Sequence, residues 1–199
     1  MGSVNLTLYP VVGADDGTAQ IPGYFSAIAL EGNIGNSGWG AFFRFPSATI
    51  PNGTTITSAI IKLYAGQDQV GETTRFKIYC EDSDDAVAPT TEGEFTGLSL
   101  TAGIDWDGEE GWTEDSQYDS DDFASEITTV VARVGWASGN ALMVVINDDS
   151  SDAGAYRRNY FIEDSAGVFK AELHISYSTP SEYEKEITEG LGLSDAVVD

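Results

Sequence analysis

The chain has 199 residues, 41% of them hydrophobic, with one cysteine, a formal net charge of -24 and a pI near 4.1. That length and apolar content suffice for one buried core, while the charge argues against nucleic acid and against binding at an anionic membrane surface, both of which call for clustered Lys and Arg. Cys80 stands alone, so no internal disulfide framework holds the fold.

At the N-terminus, Met1-Gly2-Ser3 leads into Val4–Tyr9 with neither a basic n-region nor an apolar h-region, so nothing there resembles a secretory signal. No stretch approaches the roughly 20 apolar residues of a membrane span. Turn signals then recur at short intervals, as in an all-β fold: Asp15-Asp16-Gly17, Ile21-Pro22-Gly23, and Gly32-Asn33 through Ser37-Gly38. Trp39–Phe45 alternates as a strand. Pro51-Asn52-Gly53 is a turn, with proline fixing φ and glycine accepting φ > 0. Ile56–Ala65 is the clearest strand, and Thr74–Cys80 alternates charged with apolar residues, which predicts one wet face and a buried, hydrophobe-like Cys80.

Asp105–Trp112 is polar and glycine-rich and reads as a loop. Asp121 or Asp122 is placed to cap a helix whose apolar residues Phe123, Ile127, Val130, Val131 and Val134 recur at helical spacing, ending before Gly135. Ala141–Ile146 lacks alternation, which predicts a strand buried on both faces. Arg158–Glu163 and Ala171–Tyr177 complete the strands, with His174 on a surface or interstrand position between Leu173 and Ile175. After Pro180 the composition shifts. Ser181 and Glu184 form a capping box opening a short helix through Ile187 that Gly190 stops. Leu191, Leu193, Val197 and Val198 follow on a segment too short to build a core, which suits docking on a neighbouring chain or a linker.

Two phrases, Phe42–Ala65 (FFRFPSATIPNGTTITSAIIKLYA) and Val130–Ile146 (VVARVGWASGNALMVVI), resemble the jelly-roll domains of bacterial surface proteins, carbohydrate-binding modules and phage structural proteins. The resemblance spans Phe42 to Tyr177. It implies an all-β, jelly-roll-like antiparallel β-sandwich over 1–179, with one short helix crossing one end and delivering Trp136 to the core, followed by a tail over 180–199.

Between Lys77 and Arg133 there is no lysine or arginine, and acids accumulate. Calcium takes six to eight oxygen ligands, so Glu81, Asp82, Asp84 and Asp85, with Asp105 and Asp107, are candidate ligands of a structural calcium, although the spacing does not meet an EF-hand. A solvated acidic face fits the same residues, and no cofactor is required. Trp106 and Trp112 are candidate glycan platforms or lids folded over the sandwich end. Arg157 and Arg158 follow an acidic stretch and are suited to pairing with acids of the same fold or with the negative lobe of another copy. No nucleophile elbow, zincin, Walker or dinucleotide motif occurs. The expectation is a non-enzymatic structural or decoration protein on a large assembly, a phage-like virion surface, with other copies or other virion proteins as partners. The alternative is a carbohydrate-binding module of an extracellular or cell-surface protein.

Overall fold

The structure, a computed structural model, describes residues 2–162 and 168–179. The expected C-terminal helix and the docking candidates Leu191, Leu193, Val197 and Val198 lie outside the described residues. Strands β1 (Gly2–Leu8), β12 (Glu172–Thr179), β6 (Ile56–Tyr64) and β9 (Gln117–Asp119) form one antiparallel sheet in that order. The larger sheet runs β11 (Tyr156–Tyr160), β4 (Glu31–Gly35), β5 (Trp39–Phe45), β10 (Leu142–Asp148), β7 (Gln69–Cys80), β8 (Ile104–Trp112). Strand β2 (Asp16–Gln20) also pairs with β5, and β3 (Tyr24–Ser26) pairs with β2. The two sheets pack as a jelly-roll-like sandwich. A bridge between Ala65 and Asn159 ties the end of β6 to β11, across from one sheet to the other.

Period-two alternation builds the core. Ala59, Ile61 and Leu63 of β6 and Leu173 and Ile175 of β12 face Phe43 and Phe45 of β5, Val144 and Ile146 of β10, and Phe76, Ile78 and Cys80 of β7. The other face of β10 is also covered. Ala141, Met143 and Val145 join Phe42, Ala19, Ala86 and Phe95 in a second apolar cluster, with Phe95 carried by the short helix α1 (Glu92–Thr96). Two cores on opposite faces of one strand explain why Ala141–Ile146 shows no alternation. Helix α1 was not foreseen; its Thr91 cap accepts from the Glu94 N–H at 3.2 Å.

The expected helix is α2 (Ala124–Val131), with Ile127, Val130 and Val131 buried. Asp122 Oδ1 accepts from the N–H of Ala124 at 2.9 Å and of Ala59 at 3.1 Å, so one carboxylate serves the helix start and the β6 backbone together. Glu126 Oε2 accepts from Gly103 N–H at 2.9 Å, which ties the helix to the approach of β8 and so to the second sheet. The helix stops earlier than its apolar spacing suggests, and Val134 is fully exposed. Asn52 sits in the predicted turn, where Gly53 adopts φ +71°, and its amide donates to the carbonyls of Val131 at 3.1 Å and Arg133 at 2.6 Å, capping the C-terminal end. Trp136 is buried as expected and donates its indole N–H to Ile50 O at 2.9 Å.

Two early turn expectations are corrected. Asp16-Gly17 opens β2 and is buried, and Glu31–Gly35 is a strand, so the break lies at 36–38. Among the described residues no helix is long and apolar enough to cross a membrane.

Candidate functional site

The calcium candidates do not converge. Asp82 and Asp84 both pair with Arg133, whose Nε lies 2.6 Å from Asp84 Oδ1, and the two carboxylates hold that guanidinium still further into its charged form. Asp85 Oδ1 accepts from Ala141 N–H at 2.8 Å. Asp105 pairs with Lys77 at 3.0 Å across the β7–β8 ladder and raises the lysine pKa, while Asp107 lies opposite Arg75. Among the described residues, no group of three or more His, Cys, Asp or Glu side chains could hold a metal ion. Asp82 and Asp84 thus form an arginine clamp, Asp85 holds a backbone N–H, and Asp105 makes a cross-strand pair.

Trp106 and Trp112, expected on a loop as glycan platforms or as lids over the sandwich end, are strand residues of the core, which corrects the loop and the exposed platform. Both lie in β8, where Ile104–Trp112 pairs with β7, and Trp106 and Trp112 are 1% and 0% exposed. Asp105 and Asp107 point to solvent while Trp106 points inward, as strand alternation requires. Trp112 stacks on Tyr118 at 4.9 Å and 7°, and Trp106 packs edge-on against Phe76.

Arg157 and Arg158 separate for the same reason. Arg157 is buried and donates to the carbonyls of Tyr156 at 2.9 Å and Glu72 at 2.8 Å, so it is an internal tie and not a surface contact. Arg158 points to the opposite face. Its Nε donates to Asn33 Oδ1 at 3.2 Å, its Nη1 lies 3.4 Å from Glu31 Oε2, and its backbone N–H donates to Gln69 Oε1 at 2.6 Å. Cys80 is buried, as expected, and burial first and then the charge of Glu126 push its thiol well up, away from the reactive thiolate. His174 Nε2 lies 2.8 Å from Glu172 Oε2 on the surface of β12.

Arg158 belongs to a cleft of about 260 Å³ that sequence reasoning missed. Along β4, Glu31, Asn33 and Gly35 share one face, and Arg158 stands opposite Asn33 on β11. Facing this polar wall is a row across three strands, Tyr24–Gln20–Trp39, because Gln20 pairs with Tyr24 of β3 on one side and Trp39 of β5 on the other. The Tyr24 and Trp39 rings lie 5.7 Å apart at 59°. Thr18 forms the floor, its hydroxyl within donating distance of two carbonyls, Gly40 at 3.0 Å and Asn33 at 3.2 Å. The available signal was Trp39 at the mouth of a strand directly after the Ser37-Gly38 turn; reading 32–38 as one long break hid the β4 residues that face it.

A second surface feature is apolar. Val11, Val12, Ile28 and Leu30 are each more than half exposed. Hydrogen bonds tie their segments to the stretch that follows β11: Asp15 Oδ2 accepts from Val11 and Val12 N–H, Asp16 Oδ2 from Ile162 N–H, and Leu30 O from Phe161 N–H. Val168 is also exposed, two residues before Lys170, whose ammonium sits over the Tyr9 ring at 4.6 Å.

No protein-family model matches this sequence, and no curated protein matches it either.

Proposed function

We propose that this chain is a non-enzymatic structural or decoration protein on the surface of a large assembly, a phage-like virion capsid or tail, where it supplies assembly contacts or surface adhesion. The observation that carries the reading is the exposure of Val11, Val12, Ile28 and Leu30, on segments tied together through Phe161 and Ile162, in a chain of net charge -24. Exposed apolar residues gathered at one place mark an interaction surface, whereas singly scattered ones do not. The charge acts in the opposite sense, keeping copies apart unless these apolar residues meet in register. That balance suits ordered association in an array better than indiscriminate aggregation.

The other reading, a carbohydrate-binding module, keeps the jelly-roll-like fold but cannot be built on Trp106 and Trp112, whose indoles are buried. The absence of catalysis is part of the proposal and is favoured by the buried thiol of Cys80 and by His174 lying on the surface of β12 against Glu172. Light scattering on the full chain across micromolar concentrations tests the reading. The expected result is a concentration-dependent oligomer that Ile28→Asp with Leu30→Asp returns to monomer. A monomer at every concentration, unchanged by the double substitution, would refute it.

A further inference from the structure

We infer that the cleft between β4 and the β2–β3 hairpin binds the ring of a neutral hexopyranose, as one residue of a glycan. The inference goes beyond the assembly reading and concerns a different surface.

Trp39 is half-buried where Trp106, Trp112 and Trp136 are buried, and Tyr24 is 44% exposed. Their rings meet at 59°, forming an open apolar corner in place of a parallel slot. A nucleobase is flat on both sides and stacks parallel to its aromatic partner. A pyranose chair differs: it presents a patch of C–H bonds on one face and hydroxyls around its rim. The corner accommodates the C–H face, and the rim then meets Arg158, Glu31 and Asn33.

Chemistry of the polar wall fits that rim. A guanidinium has five N–H donors in a fixed fork, of which Arg158 directs one to Asn33 and one towards Glu31. Vicinal hydroxyls, each both donor and acceptor, match a planar donor set beside planar carboxylate and amide acceptors. The wall is also held in advance of any ligand. Arg158 is fixed by its two partners and by its backbone bond to Gln69, and the Thr18 hydroxyl sits against the carbonyls of Asn33 and Gly40 beneath. Pre-ordered groups lose less entropy on binding.

Charge and size narrow the ligand. Glu31 offsets Arg158 locally, and the -24 of the whole chain opposes an anionic sugar. A cleft of about 260 Å³ falls below the roughly 300–1,000 Å³ of drug-sized sites, which is the scale for one ring. A ligand with so few atoms binds with a dissociation constant on the order of 1 mM. Display on an array would raise the apparent affinity by roughly 10²–10⁴.

Saturation-transfer NMR on the full chain with methyl β-D-glucopyranoside, methyl β-D-galactopyranoside and methyl α-D-mannopyranoside tests the inference, with glucuronic acid and adenosine as contrasts. At least one neutral glycoside should receive saturation at its ring C–H protons and perturb tryptophan fluorescence through Trp39, with glucuronic acid weaker. Trp39→Ala should weaken binding about tenfold or more. Tyr24→Ser, at a more exposed position, serves if Trp39→Ala disturbs the strand end, and should also weaken binding several-fold at an unchanged melting midpoint. Transfer to none of the three glycosides, equal transfer in a folded Trp39→Ala or Tyr24→Ser protein, or transfer to adenosine alone would overturn it. A monomeric protein that binds a glycoside separates this inference from the assembly reading.

Discussion

Replacing Trp112 by alanine and, separately, by phenylalanine tests the placement of β8 directly. The indole is fully buried and stacked on Tyr118 at 4.9 Å. A buried Trp→Ala change costs about 3–5 kcal/mol through lost transfer energy and the cavity left behind. Against a typical total of about 5–15 kcal/mol, that is a large fraction. Phenylalanine gives a different result. The Trp112 indole N–H is buried with no hydrogen-bond partner among the described residues, and an unpaired buried donor costs about 1–3 kcal/mol. Phenylalanine keeps the stacking ring and removes that donor, so its loss of area is largely offset, and a net change below about 1 kcal/mol is expected. Urea unfolding followed by circular dichroism reads both. With a slope of about 2 kcal/mol per molar, Trp112→Ala should lower the midpoint by about 2 M and Trp112→Phe by less than about 0.5 M. An unmoved midpoint in Trp112→Ala would place the ring on the surface. Equal damage from both variants would show that the N–H is paired and the offset wrong.

Two further outcomes follow from the acidic lobe. At Gly135 an added Cβ would fall 2.0 Å from Asp84 Oδ2, so Gly135→Ala should push that carboxylate off Arg133 and lower the thermal midpoint slightly, as expected of a half-exposed pair. In Asp84→Ala the same glycine change should cost less, and a double-mutant cycle with no coupling would refute the contact. Glu81 has its carboxyl pKa raised by burial, with Ser83 and Arg44 pulling partly the other way. The folded state therefore favours the protonated form: stability from this group is present below the unfolded pKa and lost as pH rises through the higher folded value. Glu81→Gln should accordingly raise the thermal midpoint at pH 7, with the gain shrinking towards pH 4. The exposed Glu72→Gln, which removes the same charge, is the control, and an equal gain there would assign the effect to net charge.

Elements with local signatures were legible. Ile56–Ala65 carries its own strand alternation, Phe123–Val131 its helical spacing, and Pro51-Asn52-Gly53 its turn, and all three appear within a few residues of their expected bounds. What escaped depended on distant segments. The cover over Met143 and Val145 comes from Ala19, Ala86 and Phe95, none near β10 in sequence. Asp105–Trp112 was misread because glycine and acids depress strand propensity, yet pairing with the long β7 overrides it. One signal was present and unused. Adjacent residues in a strand face opposite ways, so with Arg157 included in the strand the pair could not share one contact surface. The candidate cleft was hidden more deeply, since it arises where β3, β5 and β11 bring Tyr24, Trp39 and Arg158 together from three separated stretches.

Ionic strength separates the two surfaces, because one opposes a long-range field and the other contains its own balance. The Debye length falls from about 30 Å at 0.01 M salt to about 3 Å at 1 M, so added salt removes most of the repulsion between two chains of charge -24. Contact through Val11, Val12, Ile28 and Leu30 does not depend on opposite charges, and association through those residues should strengthen steadily as sodium chloride is added. Binding of a neutral glycoside in the cleft should move little over the same range, since the ligand carries no charge and Arg158 is already matched by Glu31. Light scattering and saturation transfer on the same samples read the two effects together. Association that weakens with salt would mean that copies meet through ion pairs, and the exposed apolar residues would then no longer account for assembly. Glycoside binding that collapses with salt would mean that the cleft recognises charge, and the neutral ring would be the wrong ligand.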